Sequence, residues 1–160
     1  MTMRIFRDSV TPARIPLHGT DGVLAYVNGG FAWSPAETGR FTEAGKQVAR
    51  IDVDGTAWRL ASILDVEKFD ATPETAAEWI RERNDFRPDT ATVYVSRAGL
   101  DALFRACHGL DYWLLVADWT GAPHRLRMPL PPGVRMAGTQ YASVPGYDVS
   151  AVYASGWHRA

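Results

Sequence analysis

The chain has 160 residues, 46% hydrophobic and 22% charged, the balance of a soluble globular protein long enough for a substantial core. Its formal net charge of −1, with 17 basic residues spread along the sequence, argues against a nucleic-acid binder, which carries a basic excess. A lone cysteine, Cys107, excludes an intramolecular disulfide framework, and no stretch reaches the ~18 consecutive apolar residues of a membrane span.

The opening, Met1-Thr2-Met3-Arg4-Ile5-Phe6-Arg7-Asp8, has no apolar core of a signal peptide. The expectation is synthesis in the cytosol, where the protein stays unless something else releases it. Strand-type runs then occupy residues 4–8, 23–27, 47–52, 62–67, 92–95, 112–117, 134–141 and 149–153. Most are nearly continuous in apolar residues, as expected of strands covered on both faces. Between them, residues 34–44, 72–84 and 97–108 read as helices. Ser34-Pro35-Ala36-Glu37 has the residues of a capping box, and in Thr72-Pro73-Glu74-Thr75 a capping Thr precedes a Pro at the first helical position. Gly99 lies near the third helix start and Gly109 suits its C-terminal cap. Cys107, in Phe104-Arg105-Ala106-Cys107-His108, reads as a buried thiol at a helix end.

Alternation of strand and helix implies a mainly parallel sheet. Eight strands are too many for a full (β/α)₈ barrel, which needs ~250 residues, so several crossovers must be loops or single turns. Gly121-Ala122-Pro123-His124 and Pro129-Leu130-Pro131-Pro132-Gly133 are such loops. The expected fold is α/β: a reduced, irregular or partly open TIM-type (β/α) barrel, with a mainly parallel sheet of seven or eight strands and fewer than eight full helices. With no repeat or composition shift, residues 1–160 are expected to form one domain.

The segment Ser62-Ile63-Leu64-Asp65-Val66-Glu67 carries the strongest chemical signal. Residues two apart on a strand share a side, so Asp65 and Glu67 stand together where an apolar strand emerges. A core gains nothing from two adjacent carboxylates; acid/base chemistry does, because one can keep a proton the other has lost. Asp8 and Asp118 also end predicted strands, and Asp148 precedes one, so carboxylates collect at strand ends. Asp70 reads as part of the cap of the following helix, and Asp52-Val53-Asp54-Gly55 as a strand end plus a turn, since the remaining ligands of a calcium loop are missing. Asn28-Gly29-Gly30 makes a loop without a phosphate-cradle pattern. His18, His108, His124 and His158 have no metal-ligand spacing, and no Ser sits in a GxSxG elbow. No cofactor or metal is called for.

Taken in order, the first-strand Asp8, the Leu64-Asp65-Val66-Glu67 strand, the Tyr112-Trp113-Leu114-Leu115-Val116-Ala117-Asp118-Trp119 strand and Gln140-Tyr141 followed by Asp148 resemble glycoside hydrolase family 25, and in particular its compact actinobacterial and phage variety. The resemblance implies a lysozyme-type muramidase barrel that cuts bacterial peptidoglycan or a related glycan. It makes Glu67 the general acid, its pKa raised by Asp65 and by burial, and Asp8 and Asp148 the groups that orient substrate or stabilise positive charge. A 2-acetamido group on the sugar can then act as nucleophile. It also assigns substrate contact to Gln140 and sugar stacking to Tyr26, Trp33, Tyr94, Trp119 and Tyr141. The residues after Asp8 and around Tyr26 depart from the family pattern, and the chain is shorter than a typical member. The alternative expectation is therefore a weak or inactive barrel that binds glycan or serves as a structural part of a virion or secretion assembly.

Overall fold

The computed structural model describes residues 2–154 and 157. Eight strands close into a barrel in sequence order: β1 (Arg4–Asp8), β2 (Gly22–Tyr26), β3 (Gln47–Asp52), β4 (Ile63–Val66), β5 (Thr92–Ser96), β6 (Tyr112–Ala117), β7 (Val134–Val144) and β8 (Tyr147–Val152). Neighbours from β1 through β7 are parallel, whereas β8 runs antiparallel to both β7 and β1. The barrel is thus mainly parallel, and closed rather than partly open.

Its economy of length comes from the connections. Helices α1 (Pro35–Glu43), α2 (Pro73–Phe86) and α3 (Leu100–Ala106) follow β2, β4 and β5. A single 3₁₀ turn, Pro12–Arg14, bridges β1 and β2, and irregular loops follow β3 and β6. Only Pro145 and Gly146 separate β7 from β8, with Gly146 at φ +103°. A two-residue link can join antiparallel strands but not parallel ones, so the last strand must reverse. The reversal extends β7 past residue 141 and starts β8 earlier than residue 149, with register shifts near Gln140 and Ala142.

The caps form as the local sequence dictates. Ser34 Oγ accepts from the Glu37 amide at 3.2 Å while the Glu37 carboxylate takes the Ser34 amide at 2.7 Å, and Thr72 Oγ1 accepts from the Thr75 amide at 3.2 Å. The third helix begins as a 3₁₀ turn, Arg97–Gly99, before α3 proper, and Gly109 takes φ +79° just beyond it. Apolar side chains divide into layers. Phe6, Leu24, Ile51, Ile63, Leu115 and Trp157 fill the barrel. Leu64, Val66, Val93, Val95, Leu114 and Val116 point outward onto α2 and α3. Gly22 admits the Phe6 ring, which a Cβ there would meet at 2.3 Å. Cys107 is buried, and desolvation pushes its thiol up to about 11, consistent with packing rather than reactivity. Among the described residues, no helix is long and apolar enough to cross a membrane.

Candidate active site

The two-residue period of the strands builds the site. Phe6, Leu24 and Ile63 fill the barrel interior, and the residues two further along are Asp8, Tyr26 and Asp65. Each interior column therefore changes from apolar to polar at the end where β1, β2 and β4 emerge. Glu67 lies one residue beyond β4. Asp148 stands directly opposite Asp8 in the β1–β8 register. It reaches the same mouth from the N-terminal end of its strand, not the C-terminal end that a uniformly parallel barrel would require, because β8 is reversed.

Asp8, Asp65, Glu67, Asp148, Tyr26, Tyr94 and Gln140 line one cavity of about 60 Å³ at this mouth. Tyr26, Asp65 and Glu67 also line a groove of about 530 Å³ running over the loops after β2, β3 and β4. Asp8, Tyr26 and Asp148 border a second arm of about 330 Å³ toward Arg14 and the β7–β8 turn. The cavity thus sits at the middle of an open groove.

A directed hydrogen-bond chain crosses it. Tyr94 O–H donates to Gln140 Oε1 at 2.7 Å, Gln140 Nε2 donates to Asp8 Oδ1 at 2.9 Å, and Tyr26 O–H approaches Asp8 Oδ2 at 3.4 Å. These donors favour the Asp8 carboxylate, yet burial and the nearby Asp148 raise it to about 7. Asp65 goes further, to about 8, through desolvation and then the charges of Glu67, Asp70 and Asp8. Its Oδ1 is buried with no hydrogen-bond partner. Glu67, exposed to the groove, is held above its ordinary value first by desolvation and then by Asp70, with Asp148 adding and a Tyr94 hydrogen bond opposing. The single Tyr94 proton serves one acceptor at a time. The charges acting on Glu67 are those of Asp70 and Asp148 rather than that of Asp65, whose own carboxyl is raised by Glu67.

Asp70 was assigned to the helix cap on sequence. The cap is Thr72, as its place immediately before Pro73 demands, and Asp70 instead lines the groove. Three aromatic residues expected at the site lie elsewhere. Trp33 is buried under α1 against Phe41, ring centroids 5.6 Å apart, and donates its indole N–H to the Ser9 carbonyl. Tyr141 sits at the irregularity of β7, one residue past the inward-pointing Gln140 and so on the outer side. Trp119 is exposed in the loop after β6 and lines none of the three spaces. Asp118 is a loop anchor, bonded to Arg97 at 3.2 Å and His124 Nε2 at 2.9 Å. His18 and His108 are exposed, and His158 lies outside the described residues. Among the described residues no acidic, His or Cys cluster could hold a metal ion.

Asp52 provides the internal contrast. It is fully buried at the end of β3, and its oxygens accept from Asn28 Nδ2, the amides of Asp54, Gly55 and Ala57, and Trp79 Nε1. A carboxylate so satisfied shapes a turn. Asp65 is nearly as buried and lacks such partners.

No protein-family model matches the chain, and no curated protein matches it. Solved structures do. An uncharacterized B. stearothermophilus protein superimposes with a TM-score of 0.61 at 14% identity, over 94% of this chain and 96% of that one. A glycosyl hydrolase 25 of Streptococcus pneumoniae, a virulence factor participating in host cell invasion, does so with a TM-score of 0.59 at 13% identity, over 94% of this chain and 87% of that one. Over nearly its whole described length, then, the chain shares the fold of a glycosyl hydrolase 25 protein.

Proposed function

We propose that the protein is a glycoside hydrolase of muramidase type that cleaves bacterial peptidoglycan, with Glu67 as general acid. The observation that carries the reading is the gathering of Asp8, Asp65, Glu67 and Asp148 around one cavity in an open groove. A groove open on both sides accepts a polymer in mid-chain. Of these four carboxyls, Glu67 is the exposed one, with a pKa shifted toward keeping its proton, as a general acid requires. It would protonate the leaving glycosidic oxygen while the 2-acetamido group of the cleaved sugar attacks the anomeric carbon.

Asp8, Asp65 and Asp148 would act on the positive charge that develops there. Asp8 and Asp65 are raised to about 7 and about 8, so they are proton-rich at neutral pH. An arriving positive centre favours their ionised forms, which concentrates stabilisation in the transition state rather than in the ground state. The unpartnered Asp65 oxygen is the group best placed to gain a substrate partner. The fold shared with a glycosyl hydrolase 25 protein supports this reading.

The test is release of soluble fragments from purified bacterial cell walls. Wild type should release them with an acid-leaning optimum, and Glu67→Gln should lower turnover by at least ~100-fold, the scale of a general acid's contribution. Co-sedimentation with walls without release would establish a glycan-binding barrel instead. Neither binding nor release would leave a structural component.

A further inference from the structure

Glu67, Lys68, Phe69 and Asp70 form a turn closed by the Asp70 amide on the Glu67 carbonyl at 3.1 Å, and the Ala71 amide ties it back to the Asp65 carbonyl at 3.2 Å. Phe69 occupies the third position of this turn with φ +79°, a conformation that calls for Gly or Asn. A bulky aromatic residue there is strained. The ring gains no packing in return: Phe69 is 93% exposed, and its recorded neighbour is the Lys68 ammonium 4.9 Å from the centroid. The turn thus holds a flat apolar ring in water, two residues from Glu67.

Across the same groove, the Asn28-Gly29-Gly30 turn projects Phe31, 61% exposed, and Val10 adds a third exposed apolar side chain, at 57%. Asp54, Asp65, Glu67 and Asp70 also line this arm, and among its described lining residues there is no Lys, Arg or His. Flat apolar surfaces beside hydrogen-bonding groups suit the CH face of a pyranose. Four carboxylates against one cation at this arm, the Lys68 ammonium on the Phe69 ring, disfavour a carboxylated one.

We propose that Phe69, faced by Phe31, forms a subsite for an uncharged pyranose adjoining the carboxylate cavity. The proposal deepens the glycosidase reading and rests on it. In a chain that alternates neutral and carboxylated sugars, the neutral unit occupies this arm and the carboxylated unit lies across the cavity, toward Arg14.

The test is equilibrium binding to the full chain, by calorimetry or NMR titration, of a neutral N-acetylglucosamine trimer and a galacturonic acid trimer. Wild type should bind the neutral trimer and discriminate against the carboxylated one. Phe69→Ala should weaken the neutral trimer about tenfold, the scale of one aromatic contact, and Phe69→Trp should retain it. Phe69→Gly separates strain from function: it should lose binding like Phe69→Ala while its Tm rises by about 2–4 °C. Unchanged binding in both Phe69→Ala and Phe69→Gly overturns the subsite. So does tighter binding of the galacturonic acid trimer by wild type. If either result accompanies a Glu67→Gln variant that has lost wall cleavage, the glycosidase reading survives and the subsite alone falls. Wild type that binds neither trimer and releases nothing from walls overturns both.

Discussion

Replacing Asp65 by Asn should make the protein more stable, and only at neutral and alkaline pH. The carboxyl group is 6% exposed, one of its oxygens has no partner, and its pKa is raised from 3.8 to about 8. Below pH ~4 the folded and unfolded forms are both protonated at this position, and its contribution to stability is fully present. Between pH ~4 and ~8 the unfolded chain ionises while the folded one holds its proton, so stability falls as pH rises and has been lost once the folded pKa is passed. At ~1.4 kcal/mol per pK step, the full displacement from 3.8 to about 8 corresponds to about 6 kcal/mol. Relaxation and water entry at an open barrel mouth reduce this, and ~2 kcal/mol is the expected gain for Asn at pH 8.5. For a chain of this length that is a Tm rise of about 4–8 °C. Thermal scans of wild type and Asp65→Asn from pH 4 to 9 should diverge steadily with pH and coincide near pH 4. A gap that does not change with pH, or a wild type that gains stability toward alkaline pH, would refute a protonated Asp65 in the folded state. The same variant should lose turnover on cell walls, the exchange of activity for stability expected where a site carries strain for function.

Other substitutions probe the parts of this arrangement separately. Glu67→Gln, besides losing activity, should show unchanged or slightly raised thermal stability, because it relieves repulsion on Asp65. Gln140→Leu removes the link between Tyr94 and Asp8; the pKa of Asp8, followed by NMR titration, should rise further above about 7. Asp52→Ala strands five donors at the end of β3 and should cost roughly 3 kcal/mol or more in chemical denaturation, at a position that touches no part of the cavity.

The fold was largely legible because its strands are written as apolar runs and its helices carry local signals. Ser34 with Glu37, and Thr72 ahead of Pro73, set their caps within four residues, and the structure uses both. The direction of β8 was not legible. Residues 142–148 lack an apolar run, so the end of β7 and the start of β8 read as a loop. What extends those strands is backbone pairing across the Pro145-Gly146 turn, and pairing leaves little trace in hydrophobic pattern. The aromatic residues show a related limit. Gln140 and Tyr141 are adjacent, and which of them faces the barrel depends on a register fixed by neighbouring strands. Trp33 could stand at the mouth or under a helix with the same local sequence, and its packing on Phe41 decides for the helix.

The carboxylates carry the point furthest. Ile51-Asp52-Val53-Asp54 and Leu64-Asp65-Val66-Glu67 are nearly the same string: an apolar strand ending in acids two apart. Both first acids are buried at the same end of the barrel, Asp52 on the outer side of its wall beside the inward Ile51, Asp65 on the inner side two residues after the inward Ile63. They differ in what surrounds them. Gly55 at φ +84° lets the chain after β3 fold back and present amides to Asp52, and Trp79 of α2 supplies a further donor. After β4 the turn closes through Phe69 on backbone carbonyls instead. It spends its amides on the Glu67 and Asp65 carbonyl oxygens, so none reaches the Asp65 side chain, and Asp70 is brought close enough to add its charge. Reversing the two environments should reverse the two behaviours. A donor placed beside Asp65, by substituting with Asn the neighbouring Val53, the residue after the Asp52–Leu64 pair, would lower its pKa toward the ordinary carboxylate range and flatten the pH dependence of stability. A pH profile unaltered by such a donor would mean that burial and neighbouring charge, rather than the missing hydrogen bond, hold the Asp65 proton in place.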